Sequence, residues 1–221
     1  MGKAHEWAAI FDWDGVIIDS SRQHELAWDA LAAETGKALP PGFFLESFGM
    51  KNQNVIPELL RWTQDSREIE RLCHRKEVLY RELVRRDGIG PLPGVVPFLE
   101  RLKAAGVPCA IASSTPRKNI AYVIDALKLG HDFQAIVAAE DVHQGKPDPE
   151  VFLLAARKLG RPPARSVVFE DAHVGIEAAR RAGMKVVAVA TTHPAASLRG
   201  ADRVARRLDE LTLDELDRLW A

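Results

Sequence analysis

Apolar and polar positions follow two alternating rhythms along the chain. Short runs of β-branched and apolar residues recur between longer stretches in which apolar positions return every three or four residues. The first rhythm predicts buried strands and the second amphipathic helices, so the alternation reads as repeated βα units around a largely parallel sheet. The runs place strands at Trp7–Phe11, Val107–Ala112, Ala135–Ala139, Ser166–Phe169 and Lys185–Ala190. Each run ends in a polar or acidic cluster. The carboxyl ends of strands in an open α/β sheet face the ligand crevice, so these clusters are expected to converge on one site.

One stretch breaks the alternation. From about Ser20 to Arg86 the pattern is helical throughout, as in HELAWDALAAE and SREIERLCHRKEVLYRELVRR. The turn after Asp14-Gly15 and the Gly- and Pro-rich DGIGPLPGV bracket it as hinges. The expected fold class is therefore α/β: a Rossmann-like parallel sheet core with an inserted α-helical cap domain, the core spanning residues 1–18 and 92–221 and the cap 19–91.

Length and charge narrow the partners. A chain of 221 residues can bury a full-sized core. With a net charge of −1 and 28% charged residues of both signs interspersed, it carries no nucleic-acid footprint, which needs a basic excess on one face. Small molecules are the expected partners. The start, MGKAHEWAAIFDWDG, carries no basic leader followed by a long apolar run, and Glu6 spoils a myristoylation pattern at Gly2. No membrane attachment is expected. Cys73 and Cys109 stand far apart, which suggests neither a disulfide framework nor a zinc site and fits a reducing cytoplasm.

Four segments carry candidate chemistry. In AIFDWDGVIIDS a buried strand runs into Asp12, Asp14 and Gly15, and alternation in an extended chain puts both carboxylates on one side. One can attack a phosphoryl group while the other moves protons, and Mg²⁺ would offset the repulsion between attacking carboxylate and phosphate. In PCAIASSTPRKNI the strand stops at Ser113 and Pro116 opens a helix. Ser113, Ser114 or Thr115 could cap that helix, whose free N–H groups attract phosphate; Ser113 is the preferred phosphate contact, with Ser114 beside it.

In HQGKPDPEVF, Lys146 is held between a glycine and Pro147, where a rigid ammonium neutralises phosphate and carboxylate together. In SVVFEDAHVGIEAARRAG the adjacent Glu170 and Asp171 end a buried strand and repel each other unless a cation intervenes. Asp171 is the better direct metal ligand, and Glu170 ligates directly or through water. The structural alternative is that Asp171 merely caps the following helix. Nucleophile, proton shuttle, metal cage and phosphate binders together meet the requirements of phosphoryl transfer.

With those residues in place, the chain resembles the haloacid dehalogenase-like hydrolases. FDWDGVIIDS, GKPDPEVF and FEDAHVGIEAARRAGM are similar to the β-phosphoglucomutase and sugar-phosphate phosphatase branch, whose helical cap follows the first motif. The resemblance implies Asp12 as nucleophile and Asp14 as general acid/base that also offers its backbone carbonyl to Mg²⁺. It further implies Ser113 and Lys146 at the transferring phosphoryl group, and Asp171 and Glu170 at the metal. The implied activity is Mg²⁺-dependent hydrolysis of a small phosphate monoester, a sugar or polyol phosphate, through an aspartyl-phosphate.

A mutase is the near alternative, and a non-catalytic regulatory module of the same fold the remoter one. The mutase pattern uses a cap arginine after a glycine-containing loop, where FGMKNQNVIP offers Lys51 and Asn52 instead. Phosphonate cleavage would require a cap lysine in a motif that neither Lys51 nor Lys76 matches. His24 resembles a family residue linking cap closure to the acid/base, although a surface or satisfied core histidine is the more common case. Phe43, Phe44, Trp62 and Val78 read as cap core, and His193 has no assigned role. The natural substrate and the oligomeric state are not encoded in any of these patterns.

Overall fold

Parallel strands run through the centre of the molecule, seen in a computed structural model that describes residues 5–221. The expectation drawn on Gly2 therefore lies outside the described residues. The strands are β1 (Ala8–Phe11), β2 (Cys109–Ala112), β3 (Ala135–Val137), β4 (Ser166–Glu170), β5 (Lys185–Val189) and β6 (Arg203–Ala205). They form one six-stranded sheet in the order β3-β2-β1-β4-β5-β6, with every pairing parallel. Five of these were expected, shifted by a residue or two at their ends. The sixth is an edge strand of three residues, Arg-Val-Ala, too short and too little buried to give an apolar run.

The chain builds β2 and β3 on one side of β1 and returns to build β4, β5 and β6 on the other. The order therefore reverses between β1 and β4, and a ligand crevice belongs at that switch point. Phe11 pairs with Ile111 on one side and Phe169 on the other, so Asp12, the next residue, stands beside the ends of β2 and β4.

Strand alternation divides the core between the two faces of the sheet. Ala9, Phe11, Ile111, Val167 and Phe169 face α5 (Val95–Ala104) and α6 (Arg117–Leu127). Ile10, Ala110, Val168 and Val186 face α7 (Glu150–Lys158) and α8 (His173–Arg181). With both faces covered, β1 and β2 are wholly apolar and β4 is apolar between Ser166 and Glu170, which is why the sequence shows runs there.

Among the described residues, 19–90 contain helices and no strand: α1 (Ser21–Thr35), α2 (Phe43–Ser47), α3 (Asn52–Asn54) leading into a π turn over Val55–Leu59, and α4 (Ser66–Asp87). His24, Ala27, Trp28, Leu31 and Ala32 give α1 one buried stripe at helical spacing. α4 begins where Asp65 accepts a hydrogen bond from the Glu68 amide at 2.8 Å. The two connections to this helical segment lie side by side, with Leu92 N–H donating to Ile17 O at 2.9 Å and Asp19 N–H to Gly90 O at 3.2 Å. Both cysteines are free and buried, their thiols pushed up to about 12 chiefly by burial. No described helix is long and apolar enough to cross a membrane.

Candidate active site

Asp12 continues β1, donating its amide to Phe169 O at 2.9 Å, and its side chain is almost completely buried beyond the strand end. Lys146 Nζ lies 2.8 Å from Asp12 Oδ1 and 2.6 Å from Glu170 Oε1, all three side chains being shielded from water. The contact to Asp12 is an ion pair without the alignment of a hydrogen bond, whereas that to Glu170 has both. Asp171 completes the group: one oxygen of each of Asp12, Glu170 and Asp171 lies within 4.8 Å of the others. Three buried carboxylates thus face one ammonium.

The electrostatics follow from that imbalance. Burial pushes the Asp12 carboxyl up to about 7, with Glu170 and Asp14 adding to the rise and Lys146 opposing it. Burial, Glu170 and Asp12 likewise push Asp171 well above the ordinary carboxylate range. For Lys146, burial acts downward, but Asp12 and Glu170 outweigh it and hold the ammonium above its usual value. A second cation would relieve the remaining repulsion.

The chemistry of the donor set fits a hard divalent ion such as Mg²⁺, which takes oxygen ligands. Asp171 Oδ1 is buried and without a hydrogen-bond partner, a costly state for a carboxylate oxygen that receives no other ligand. Glu170 differs, because Oε1 accepts from Lys146 and Oε2 from the Ala172 amide at 2.7 Å. Gly175 makes room for it: a Cβ there would overlap the Glu170 carboxylate. Gly175→Ala is therefore expected to destabilise the chain by about 1–3 kcal/mol, as overpacking of a filled interior does. Urea unfolding would check it, and an unchanged midpoint would contradict the crowding.

Asp14 is a different kind of carboxylate. Gly15 follows it at a φ of 77°, turning the chain away from the strand direction. Its Oδ1 accepts from Ser20 Oγ at 2.6 Å and faces His24 Nε2 at 3.1 Å, and its Oδ2 accepts from Thr115 Oγ1. Burial pushes this carboxyl up; with the His24 ring positively charged, that charge and the hydrogen bonds from His24, Ser20 and Thr115 outweigh it and bring the carboxyl to about 2. Lys76 Nζ stands 2.6 Å from the other ring nitrogen of His24. An ammonium only donates, so Nδ1 accepts, and the ring proton sits on Nε2 and points to Asp14. In that neutral tautomer the ring's charge no longer acts on Asp14, which makes it easier to protonate.

The loop after β2 departs from expectation. α6 starts at Arg117 with no side-chain cap, because Pro116 takes the cap position. Ser113 Oγ instead accepts from the Thr115 amide at 3.0 Å, and Ser114 Oγ donates to Gly49 O in the helical segment at 2.8 Å. α8 begins at His173 after Ala172, so Asp171 is no helix cap either.

The pocket above these strand ends is lined from the sheet by Asp12, Asp14 and Ser113 to Thr115, and from the helical segment by His24, Trp28, Phe44, Phe48, Lys76 and Glu77 among others. Phe44, expected as cap core, packs against the core and also lines the pocket, while Phe43 is buried. Lys51 donates to Val142 O at 2.7 Å, which occupies its charged end. His193 approaches the Asp171 carbonyl at 3.1 Å. Sequence reasoning did not single out Ser20, Glu77 and Thr192 as site-forming side chains, and weighed Thr115 only as a helix cap and Asn52 only as part of the cap loop. Ser20 opens the first cap helix and Thr115 adjoins Ser113, and those positions were the available signals.

A parallel α/β sheet whose switch point gathers carboxylates, a lysine and hydroxyls defines an enzyme with a small-ligand site at the strand ends. The family model described as haloacid dehalogenase-like hydrolase matches residues 8–183, and the chain belongs to that family. It is 40% identical over 96% of its length to 5-amino-6-(5-phospho-D-ribitylamino)uracil phosphatase, chloroplastic, of Arabidopsis thaliana, spanning 57% of that protein. It is 34% identical to the β-phosphoglucomutase of Bacillus subtilis (strain 168), over 96% of this chain and 95% of that protein. The crystal structure of a hydrolase from Pseudomonas syringae superposes with a TM-score of 0.87 at 31% identity, covering 96% of this chain and 99% of that one.

Proposed function

We propose that the chain is a Mg²⁺-dependent phosphatase that hydrolyses a small phosphate monoester, a sugar or polyol phosphate, through an aspartyl-phosphate on Asp12. The observation that carries this reading is the buried Asp12 carboxylate set against Lys146, Glu170 and Asp171, with Asp14 lining the same pocket. A sugar-like substrate fits the phosphorylated ribityl chain in the name of the Arabidopsis relative. Asp12 and Asp171 would hold the ion directly, Asp14 would contribute through its backbone carbonyl, and Glu170, whose oxygens both have donors, would act through water. Bound there, Mg²⁺ supplies positive charge between the attacking carboxylate and the phosphoryl oxygens.

The residues then divide the work. Lys146 and Ser113 hold the transferring group in line with Asp12. An Asp12 oxygen bonds to phosphorus as the ester P–O bond breaks, and Asp14 gives its proton to the departing oxygen. Asp14 next takes a proton from water, whose oxygen attacks phosphorus and frees Asp12 and inorganic phosphate. His24 orients Asp14, and the helical cap (residues 19–91) closes over the core to exclude bulk water during the first step. A mutase would also have to grip a second phosphate. The loop that should supply that grip has no arginine, and its lysine is committed to the Val142 carbonyl.

Incubation with a panel of phosphorylated sugars and polyols should release inorganic phosphate, with no isomer formed in the presence of a bisphosphate activator. Chelation should abolish the release and added Mg²⁺ restore it. Isomer formation outpacing phosphate release would overturn the assignment in favour of the mutase, and turnover surviving exhaustive chelation would remove the metal from it.

A further inference from the structure

Beyond β5 the chain reads Thr191, Thr192, His193, and each of the three side chains reaches back toward the residues around the carboxylate cluster. Thr191 Oγ1 donates to the Gly15 carbonyl, immediately after Asp14. Thr192 Oγ1 donates to Oδ2 of Asp171. His193 Nδ1 lies 3.1 Å from the backbone carbonyl of Asp171. Because a carbonyl only accepts, that nitrogen carries the ring proton. The His193 ring is braced edge-on against His173, at 4.7 Å between centroids.

Asp171 is therefore gripped at its backbone and at one carboxylate oxygen, while its other oxygen, Oδ1, is buried with no partner. The close approach depends on Gly15 as well. A Cβ at that position would overlap Asp171 Oδ2 and stand 2.8 Å from Thr192 Oγ1.

We infer that Thr192 is a positioning residue that, by tying up Oδ2 of Asp171, fixes the carboxylate's rotation and commits Oδ1 to the divalent ion. The inference rests on the metal-dependent reading above. Without the hydroxyl the carboxylate can rotate about its Cβ–Cγ bond, and ordering it again falls to the metal. Groups that orient ligands in this way typically change metal affinity by roughly 10–100-fold when removed.

The test is Mg²⁺ binding to the full chain by titration calorimetry, with Mn²⁺ binding by electron paramagnetic resonance as a second readout, neither of which requires turnover. Thr192→Val keeps the shape and removes the donor, so its dissociation constant should rise by roughly 10–100-fold. Thr192→Ser keeps the donor and should stay within about threefold of the parent, well short of that loss. Thr192→Ala serves in place of the valine variant if the latter does not fold. Parent-like affinity in a folded variant without the hydroxyl, or a serine variant as weak as valine, overturns the inference alone. A parent chain that binds neither ion overturns the metal-dependent reading itself.

Discussion

Asp12→Asn is expected to lose phosphatase turnover by roughly 10⁴-fold or more, the scale on which removal of an enzyme's nucleophile acts. The amide has nearly the volume and shape of the carboxylate, so the strand end packs as before, but it offers phosphorus no nucleophilic oxygen anion. The same substitution should leave the fold at least as stable once metal is chelated. The carboxyl of Asp12 is held at about 7 in the folded chain against an ordinary 3.8, mainly by burial. A folded value raised in this way favours the native state below the ordinary value, and the benefit is lost as pH rises through about 7.

Asparagine, which does not titrate, escapes that loss. In chelator at pH 8 the variant should melt at or above the parent temperature, while at pH 4 the difference narrows. Stopped turnover assays paired with thermal melts check both halves. A variant retaining a tenth of parental activity would refute Asp12 as the nucleophile. One that melts far below the parent at pH 8 would show instead that ionised Asp12 is needed to hold Lys146.

Much of this is legible in the sequence because the strongest signals are local. Asp12, Asp14, Lys146, Glu170 and Asp171 each follow a buried strand or rigid turn directly in sequence, so finding the strand located the residue. In a parallel sheet neighbouring strand ends lie side by side, and the structure pairs Lys146 with Asp12 and Glu170 and brings oxygens of Asp12, Glu170 and Asp171 within 4.8 Å of one another. What stayed hidden depends on distance between elements.

Thr192 matters through an aspartate 21 positions away, and Lys76 through a histidine 52 positions away, so neither position carries a sequence cue of its own. Helical periodicity places Lys76 and Glu77 on α4 without marking them as buried, and it does not show that Phe44, which packs on the core, also lines the pocket. The edge strand β6 escaped because three residues, from an exposed Arg203 to a buried Ala205, make no pattern. The loop after β2 misled for another reason: Ser, Ser and Thr before a helix are good cap residues, but Pro116 occupies the cap and frees their hydroxyls for Asp14, Gly49 and the Thr115 amide.

The substitution with the largest combined effect on stability and activity is Lys146→Met. It keeps most of the side chain's volume and deletes the ammonium that Asp12 and Glu170 share, leaving three buried carboxylates with no compensating cation. Removing one partner of a buried pair typically costs about 3–5 kcal/mol. For a chain of this size that lowers the melting temperature in chelator by roughly 10 °C. Mg²⁺ should then reverse the ranking of its own effect.

A ligand bound only by the native state stabilises by about 2.7 kcal/mol at a hundredfold excess over its dissociation constant. The variant cluster carries one more uncompensated negative charge than the parent, so it attracts the ion more strongly and should gain more degrees of melting temperature on adding Mg²⁺. Activity should remain depressed by roughly 10²–10³-fold even at saturating metal, because the ammonium also stabilises charge on the transferring phosphoryl group. Melts with and without Mg²⁺, set beside phosphate release, separate the two roles. A Mg²⁺-induced shift no larger in the variant than in the parent would mean that lysine and metal do not offset the same charges.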